Sequence, residues 1–358
     1  MEGAMGDDSR PVFVTGATGF IGTWLVQALV QRGQPVRALS RRDKPQPPPG
    51  FAGPGPPPLE HELVEIVRGD ITDRDSLLRA MKGCGRVFHL AAYAKNWARD
   101  RTTFHRSNVE GMRNVFHAAA EHAVERVVWT STIATFGPTP RGVVGDESMP
   151  RITARYFTEY ERTKAIAEKE AFRWAAAGFP VVVVNPTRVY GPGHLTEANS
   201  VTRIIDAYDR GKFPFLFNRG INVGNYVLVD DVVQGHLLAM EKGRVGQRYI
   251  LGGENATLKQ LFRTIDRVSG KRHFQIATLT AGPLIFAWFQ QMRAKWFGTY
   301  PSITPAWVRT YAVDSAYRSD KAARELGYRS TPLEEGIRIT YQWLQRVRAQ
   351  AQPAGRWM

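Results

Sequence analysis

Val12-Phe13-Val14-Thr15-Gly16-Ala17-Thr18-Gly19-Phe20-Ile21-Gly22 decides the fold. A short run of apolar and β-branched residues feeds a turn with glycines at G-x-x-G-x-x-G spacing. The pattern then changes to the helical period over residues 21–32. Gly16 permits a tight turn, Gly19 lets a ligand approach the backbone, and Gly22 lets helix and strand pack closely. The turn aims backbone N–H groups and the positive end of a helix dipole at a pyrophosphate. Residues 16, 18, 19, 20, 21 and 22 are therefore expected to bind a dinucleotide: Gly16, Thr18, Gly19, Phe20, Ile21 and Gly22.

Outward from this turn, strand-like runs at 12–15, 35–40, 63–69, 86–90, 127–132 and 180–185 alternate with helical stretches such as 21–32 and 108–121. That alternation predicts an α/β chain, a Rossmann-type doubly wound parallel sheet. Val181 to Val184 is apolar without alternation, as a strand covered on both faces requires. Residues 44–59, rich in proline and glycine, read as a surface insertion after the second strand. Past Pro186 the rhythm becomes irregular. The expected organisation is a nucleotide-binding domain over 10–186, also receiving parts of the later chain, a smaller C-terminal substrate-binding lobe over 187–345, and a tail over 346–358.

The 358 residues, 43% of them hydrophobic, suffice for a large core. A net charge of +15 comes from basic residues spread along the chain, without the clustered stripe of a nucleic-acid surface. The single cysteine, Cys84, excludes an internal disulfide and suits a reducing, cytoplasmic compartment, and the polar residues 1–10 do not resemble a secretory leader. Residues 279–297 mix Trp and Phe with Arg293 and Lys295. They read as a helix on the substrate lobe, or as one touching a membrane peripherally, since Gln290 interrupts any long apolar span. The histidines form no ligand-spaced cluster, so no metal site is expected.

At the end of the second strand stands Leu39-Ser40-Arg41-Arg42, with no carboxylate before Asp43. A carboxylate there would bind a ribose 2′-hydroxyl, whereas arginine accommodates a 2′-phosphate. Arg41 therefore predicts NADP, with NAD the lesser fit. Further on, Tyr160 and Lys164 lie four apart, sharing one helix face, so the lysine cation is expected to lower the phenol's pKa for proton transfer.

Thr15-Gly16-Ala17-Thr18-Gly19-Phe20-Ile21-Gly22 with Tyr160-Glu161-Arg162-Thr163-Lys164 resembles the extended short-chain dehydrogenases/reductases, the NAD-dependent epimerase/dehydratase family. The nearest resemblance is to members like dihydroflavonol reductase and 3β-hydroxysteroid dehydrogenase. It implies that Thr132, five before Gly137, completes a triad with Tyr160 and Lys164, that Asn108 supports it, and that Ser131 points away. It also implies cofactor contacts from Asp70, Ile71, Ala91, Ala92, Pro186 and Val189 and from Tyr160 and Lys164 themselves, and a homodimer through helices near 108–121 and 158–176.

Two departures narrow the reaction. Ile133-Ala134 follows Thr132 where the family's dehydratases carry Asp-Glu, and Gly224 stands where its sugar-nucleotide epimerases usually carry a diphosphate-gripping arginine, with Arg219 as a conceivable substitute. Aromatic segments at 93–97 and 155–157 are expected near the substrate. The sequence thus points to an NADP-dependent oxidoreductase on an apolar steroid-, flavonoid- or 3-oxoacyl-like ketone or alcohol. A sugar epimerase with retained cofactor, or a silent cofactor sensor, are the alternatives.

Overall fold

The computed structural model describes residues 9–43 and 59–351. The proline-rich insertion, apart from Leu59, lies outside the described residues.

The strands are β1 (Val12–Thr15), β2 (Val36–Ser40), β3 (Val64–Arg68), β4 (Arg86–His89), β5 (Arg126–Thr130), β6 (Val181–Pro186), β7 (Arg188–Tyr190), β8 (Phe215–Leu216), β9 (Val223–Leu228), β10 (Arg248–Leu251), β11 (Glu254–Thr257) and β12 (Ile276–Ala277). Seven form one sheet in the order β10-β6-β5-β4-β1-β2-β3, and every pair in it is parallel. This is the doubly wound sheet that the alternating pattern predicts. Its order reverses between β1 and β4, the place where such sheets open a crevice beyond the strand ends.

Side-chain alternation along β1 explains the two layers. Val12 and Val14 face a core built with Leu25, Leu29, Val232 and Leu237 of the helices Phe20–Gln31 and Val229–Lys242. Phe13 faces the other way, onto Leu77, Val115, Phe116 and Ala167 of the helices Arg74–Met81, Gly111–Glu121 and Glu159–Ala176. Val181 to Val184 of β6 are 0% exposed, covered from both faces.

The later chain divides its work. β10 and the helix Asp320–Leu326 return to the large sheet, while the small sheet β11-β9-β7 carries a second core around Tyr208, Leu261, Phe262 and Ile337. The final helix, Leu333–Ala351, runs past residue 346 into the stretch read as a tail. Its apolar side, Ile337, Leu344 and Val347, is held in that second core, which supports the helix past residue 346. Among the described residues, no helix is long and apolar enough to cross a membrane.

Candidate active site

The crevice at the β1/β4 reversal is a cleft of about 580 Å³ between the sheet and the smaller lobe. The glycine turn forms its floor. Gly16 adopts φ +74°, and a Cβ there would lie 2.7 Å from the Ala91 backbone N; a Cβ at Gly22 would lie 2.0 Å from the Gly16 carbonyl. Only glycine satisfies both contacts. Gly19 caps the helix Phe20–Gln31, whose first turn has no side-chain cap and no acidic residue. Its N–H groups and dipole therefore suit an anionic group. Thr18, Phe20, Ile21, Asp70, Ile71, Ala91, Ala92, Pro186 and Val189 line the same cleft, as does Arg41. Arg41 is exposed and makes no ion pair among the described residues. Asp70 Oδ1 accepts from the backbone N and hydroxyl of Thr72, both at 2.9 Å, which fixes the turn after β3. A dinucleotide fits these residues from pyrophosphate turn to ribose end.

At the other end of the cleft β5 stops at Thr130, two residues short of the predicted boundary. Thr132 remains extended (φ −162°, ψ 152°) and caps the turn Ile133–Thr135. Its side chain shares the cleft end with the Tyr160 phenol and draws the phenol's pKa down against the rise from burial. Tyr160 stands in the first turn of the helix Glu159–Ala176, which opens with a capping box between Thr158 and Glu161. The buried Glu161 also holds Arg151 at 2.6 Å, and Arg151 donates to the Ala134 carbonyl at 3.0 Å. This strap ties the start of the tyrosine helix to the threonine turn.

Lys164 lies one helical turn below, 1% exposed and beneath the cleft surface. Its ammonium donates to the Thr130 carbonyl at 2.7 Å and sits 4.2 Å from the Trp129 ring centre. Burial lowers its pKa to about 7, against the opposing pull of Glu168. Burial likewise pushes the Tyr160 phenol up to about 12. That corrects the expected lowering by Lys164. Desolvation dominates, opposed by the Thr132 side chain, while the Lys164 ammonium is turned toward the Thr130 carbonyl and the Trp129 ring. Beside it, burial and Lys164 lower His89 to about 3, so its neutral ring can share a 2.7 Å hydrogen bond with the Thr15 hydroxyl and link β4 to β1.

Asn108 does not begin a regular helix. It lies in a π turn, Arg106–Glu110, inserted between the helices Thr102–His105 and Gly111–Glu121. Such turns displace one residue from the i→i−4 ladder. Here Asn108 Oδ1 accepts from the Tyr93 backbone N at 2.7 Å, and its amide donates to the Thr163 hydroxyl at 3.0 Å. It thus joins the loop beneath the cleft to the Tyr–Lys helix without lining the cleft itself.

The NAD dependent epimerase/dehydratase family model matches residues 12–252. This chain belongs to that family. It is 34% identical to a putative dihydroflavonol 4-reductase of Synechocystis, covering 93% of this chain and 94% of the relative. To a 4-hydroxy-2-methyl-3-oxo-4-farnesyl-3,4-dihydroquinoline-1-oxide ketoreductase of Stigmatella aurantiaca it is 32% identical, covering 96% and 97%. Among solved structures, that of gox2253 superposes with a TM-score of 0.77 at 31% identity, covering 94% of this chain and 98% of the other.

The positions where this family member departs from its sugar-nucleotide relatives take a definite shape. A Cβ at Gly224 would lie 2.4 Å from an Arg188 guanidinium nitrogen. Arg188 reaches over from β7, donating to the Tyr226 hydroxyl at 3.3 Å and to the Thr310 carbonyl at 2.9 Å, with Tyr311 against its face. An arginine at position 224 has no room. Arg219 is exposed on another loop and does not line the cleft. Of the predicted aromatic segments, Tyr93 and Phe157 line the cleft. Trp97 packs on Tyr300 instead, and Tyr156 lies under Arg151. Trp307 and Tyr311, which no local motif marks, complete the aromatic wall.

Glu168 is the functional neighbour that sequence reading missed. It is buried one turn beyond Lys164 and accepts from Thr135 at 3.1 Å, Asn185 at 2.8 Å and Arg248 at 3.0 Å, as well as from Ser131. The Ser131 hydroxyl is thereby committed to Glu168, although Ser131 lines the cleft beside Thr132 and does not point wholly away from it as expected. The only signal was the i, i+4, i+8 spacing of Tyr160, Lys164 and Glu168 on one helix face.

Proposed function

We propose that this chain is an NADP-dependent reductase that converts an apolar ketone into a secondary alcohol, or runs the reverse reaction. The observation that carries this reading is that Thr132 and Tyr160 line one end of the cleft while the Lys164 ammonium, held by the Thr130 carbonyl, lies just beneath. Bound on the glycine turn, the reduced cofactor supplies a hydride. Tyr160, its phenol protonated at neutral pH, donates the proton to the carbonyl oxygen as negative charge develops there. Thr132 hydrogen bonds the same oxygen. Lys164 places positive charge behind the phenol and favours its deprotonated form when the proton has left. The ketoreductase relative is named for a farnesyl-bearing 3-oxo compound, and the aromatic lining of Tyr93, Phe157, Trp307 and Tyr311 suits an apolar ketone here.

A panel of steroid, flavonoid and 3-oxoacyl ketones, with NADPH absorbance as the readout, tests the reading. Net cofactor oxidation with at least one of them is expected. Interconversion of sugar-nucleotide epimers with no net oxidation would replace it with the epimerase alternative.

Arg41 supports the choice of NADP, since an exposed guanidinium beside the ribose end matches a 2′-phosphate. Losing a charge-assisted bond of about 1.5–3 kcal/mol, Arg41→Ala is expected to raise KM for NADPH by roughly 10- to 100-fold. KM for NADH should not change. Equal effects on both cofactors would remove Arg41 from the 2′-phosphate site. The same reading includes a homodimer through the helices Gly111–Glu121 and Glu159–Ala176, and a reducing compartment in which the buried Cys84, its thiol pushed up to about 11 by burial, stays inert.

A further inference from the structure

The helix Ala281–Phe297 buries only Ala287 and Ala294, seven residues apart on one side, where it packs against the helix Pro305–Tyr311. The opposite side carries Ile285, Phe289, Met292 and Trp296, at i, i+4, i+7 and i+11 spacing. Phe289 is 61% and Trp296 77% exposed, and Phe286, Trp288 and Phe297 widen the apolar stripe to either side. At 100° per residue, Arg293 and Lys295 flank the stripe on its two edges. Both are exposed. Between Asp266 and Asp314 the chain contains no acidic residue, whereas Arg267, Lys271, Arg272, Arg293, Lys295 and Arg309 all fall in that interval. A soluble surface normally breaks up an apolar patch of this kind with charges of both signs.

We propose that this face docks on an anionic lipid surface. Its apolar residues would enter the headgroup boundary and Arg293 and Lys295 would meet lipid phosphates. A second copy of the chain is the poorer occupant. A two-fold contact sets the same patch against itself, and a helix whose only charged residues are Arg293 and Lys295 then offers them no opposite charge.

The position of the helix gives the docking a purpose. Just past its end, the Tyr300 hydroxyl donates to a Glu197 carboxylate oxygen at 2.6 Å, and its ring packs edge-on against Trp97 at 5.5 Å. Glu197 accepts from the Asn96 backbone N at 2.9 Å, and both residues line the cleft. The helix Pro305–Tyr311, on which the apolar helix rests, supplies Trp307 and Tyr311 to the same cleft. The lipid-facing helix therefore adjoins the cleft mouth. An apolar substrate could pass between bilayer and cleft there, a consequence that rests on the ketone reading, whereas the docking itself does not.

Flotation of the full-length protein with vesicles tests the docking directly. Binding is expected to vesicles of phosphatidylcholine mixed with phosphatidylglycerol, to weaken with added salt, and to be at least tenfold lower with phosphatidylcholine alone. The combined substitutions Phe289→Ser, Trp296→Ser and Phe297→Ser should lower partition at least tenfold while leaving Tm and cofactor binding unchanged, because all three side chains are exposed. Arg293→Gln with Lys295→Gln should selectively reduce the anionic-lipid preference. Failure of the wild-type protein to float would overturn the proposal. So would a wild-type dimer, seen by analytical ultracentrifugation, that the triple substitution converts to monomer, since that assigns the face to a second copy.

Discussion

Tyr160→Phe is expected to lower kcat for ketone reduction by about 10²–10⁴-fold, the range spanned by a positioned proton donor. Cofactor affinity should remain within twofold of wild type. The substitution removes one hydroxyl but keeps the ring and the helix start capped by Thr158. A single hydroxyl is worth at most about 1 kcal/mol to stability, so Tm should move by only a few degrees. Single-turnover measurement with prebound NADPH separates the chemical step from binding. If the rate of that step is retained, the proton comes from elsewhere and the assignment of Tyr160 fails. Thr132→Val is the companion change. It should leave the phenol in place and lower kcat less, because the substrate oxygen keeps its proton donor.

The second large effect concerns a residue that never meets the substrate. Glu168→Ala should destabilise the fold by roughly 3–5 kcal/mol, the cost of leaving one member of a buried ion pair alone. Arg248, paired at 3.0 Å, would lose its only carboxylate partner among the described residues, and Thr135 and Asn185 would each lose one of their acceptors. Arg248→Met in the Glu168→Ala background should recover part of the loss, since the stranded cation is then gone. Chemical denaturation of the two variants and the double variant measures this. Additive losses would show that the pair is not coupled.

Glu168→Gln reports on the chemistry. The Glu168 charge holds the Lys164 pKa above the value burial alone would set, whereas His89 is neutral and offers no opposing charge. Lys164 is an ammonium below about 7 and loses its charge as pH rises through that value. Removing the carboxylate moves this loss to lower pH. The falling alkaline limb of kcat/KM for the cofactor should therefore shift toward acid in Glu168→Gln. An unchanged profile would mean that Glu168 serves packing alone.

Much of the site was legible because its parts are local. The G-x-x-G-x-x-G turn and the Tyr160/Lys164 spacing each lie within one helical turn or one strand-to-helix junction, where sequence distance and spatial distance agree. Arg41 and Asp70 were readable because strand ends define positions on the sheet edge. What escaped notice depends on partners far along the chain. The π turn around Asn108 forms where its amide is held at both ends, the oxygen by the Tyr93 backbone N–H and the nitrogen by the Thr163 hydroxyl, and no pattern in 106–110 announces it. Gly224 could be seen to lack an arginine, but not to lie against Arg188.

By itself the sequence determined the sheet's class, the glycine turn and the placing of Tyr160 one helical turn before Lys164, because side-chain periodicity and glycine stereochemistry act over a few neighbouring residues. Only the tertiary structure decided the electrostatics and the surroundings. Burial raised the Tyr160 phenol and lowered Lys164, Glu168 drew together groups from β6 and β10, and Ala287 and Ala294 turned an aromatic face outward. Desolvation and long-range pairing depend on which atoms exclude water from a point in space, and that is known only once the whole chain has packed.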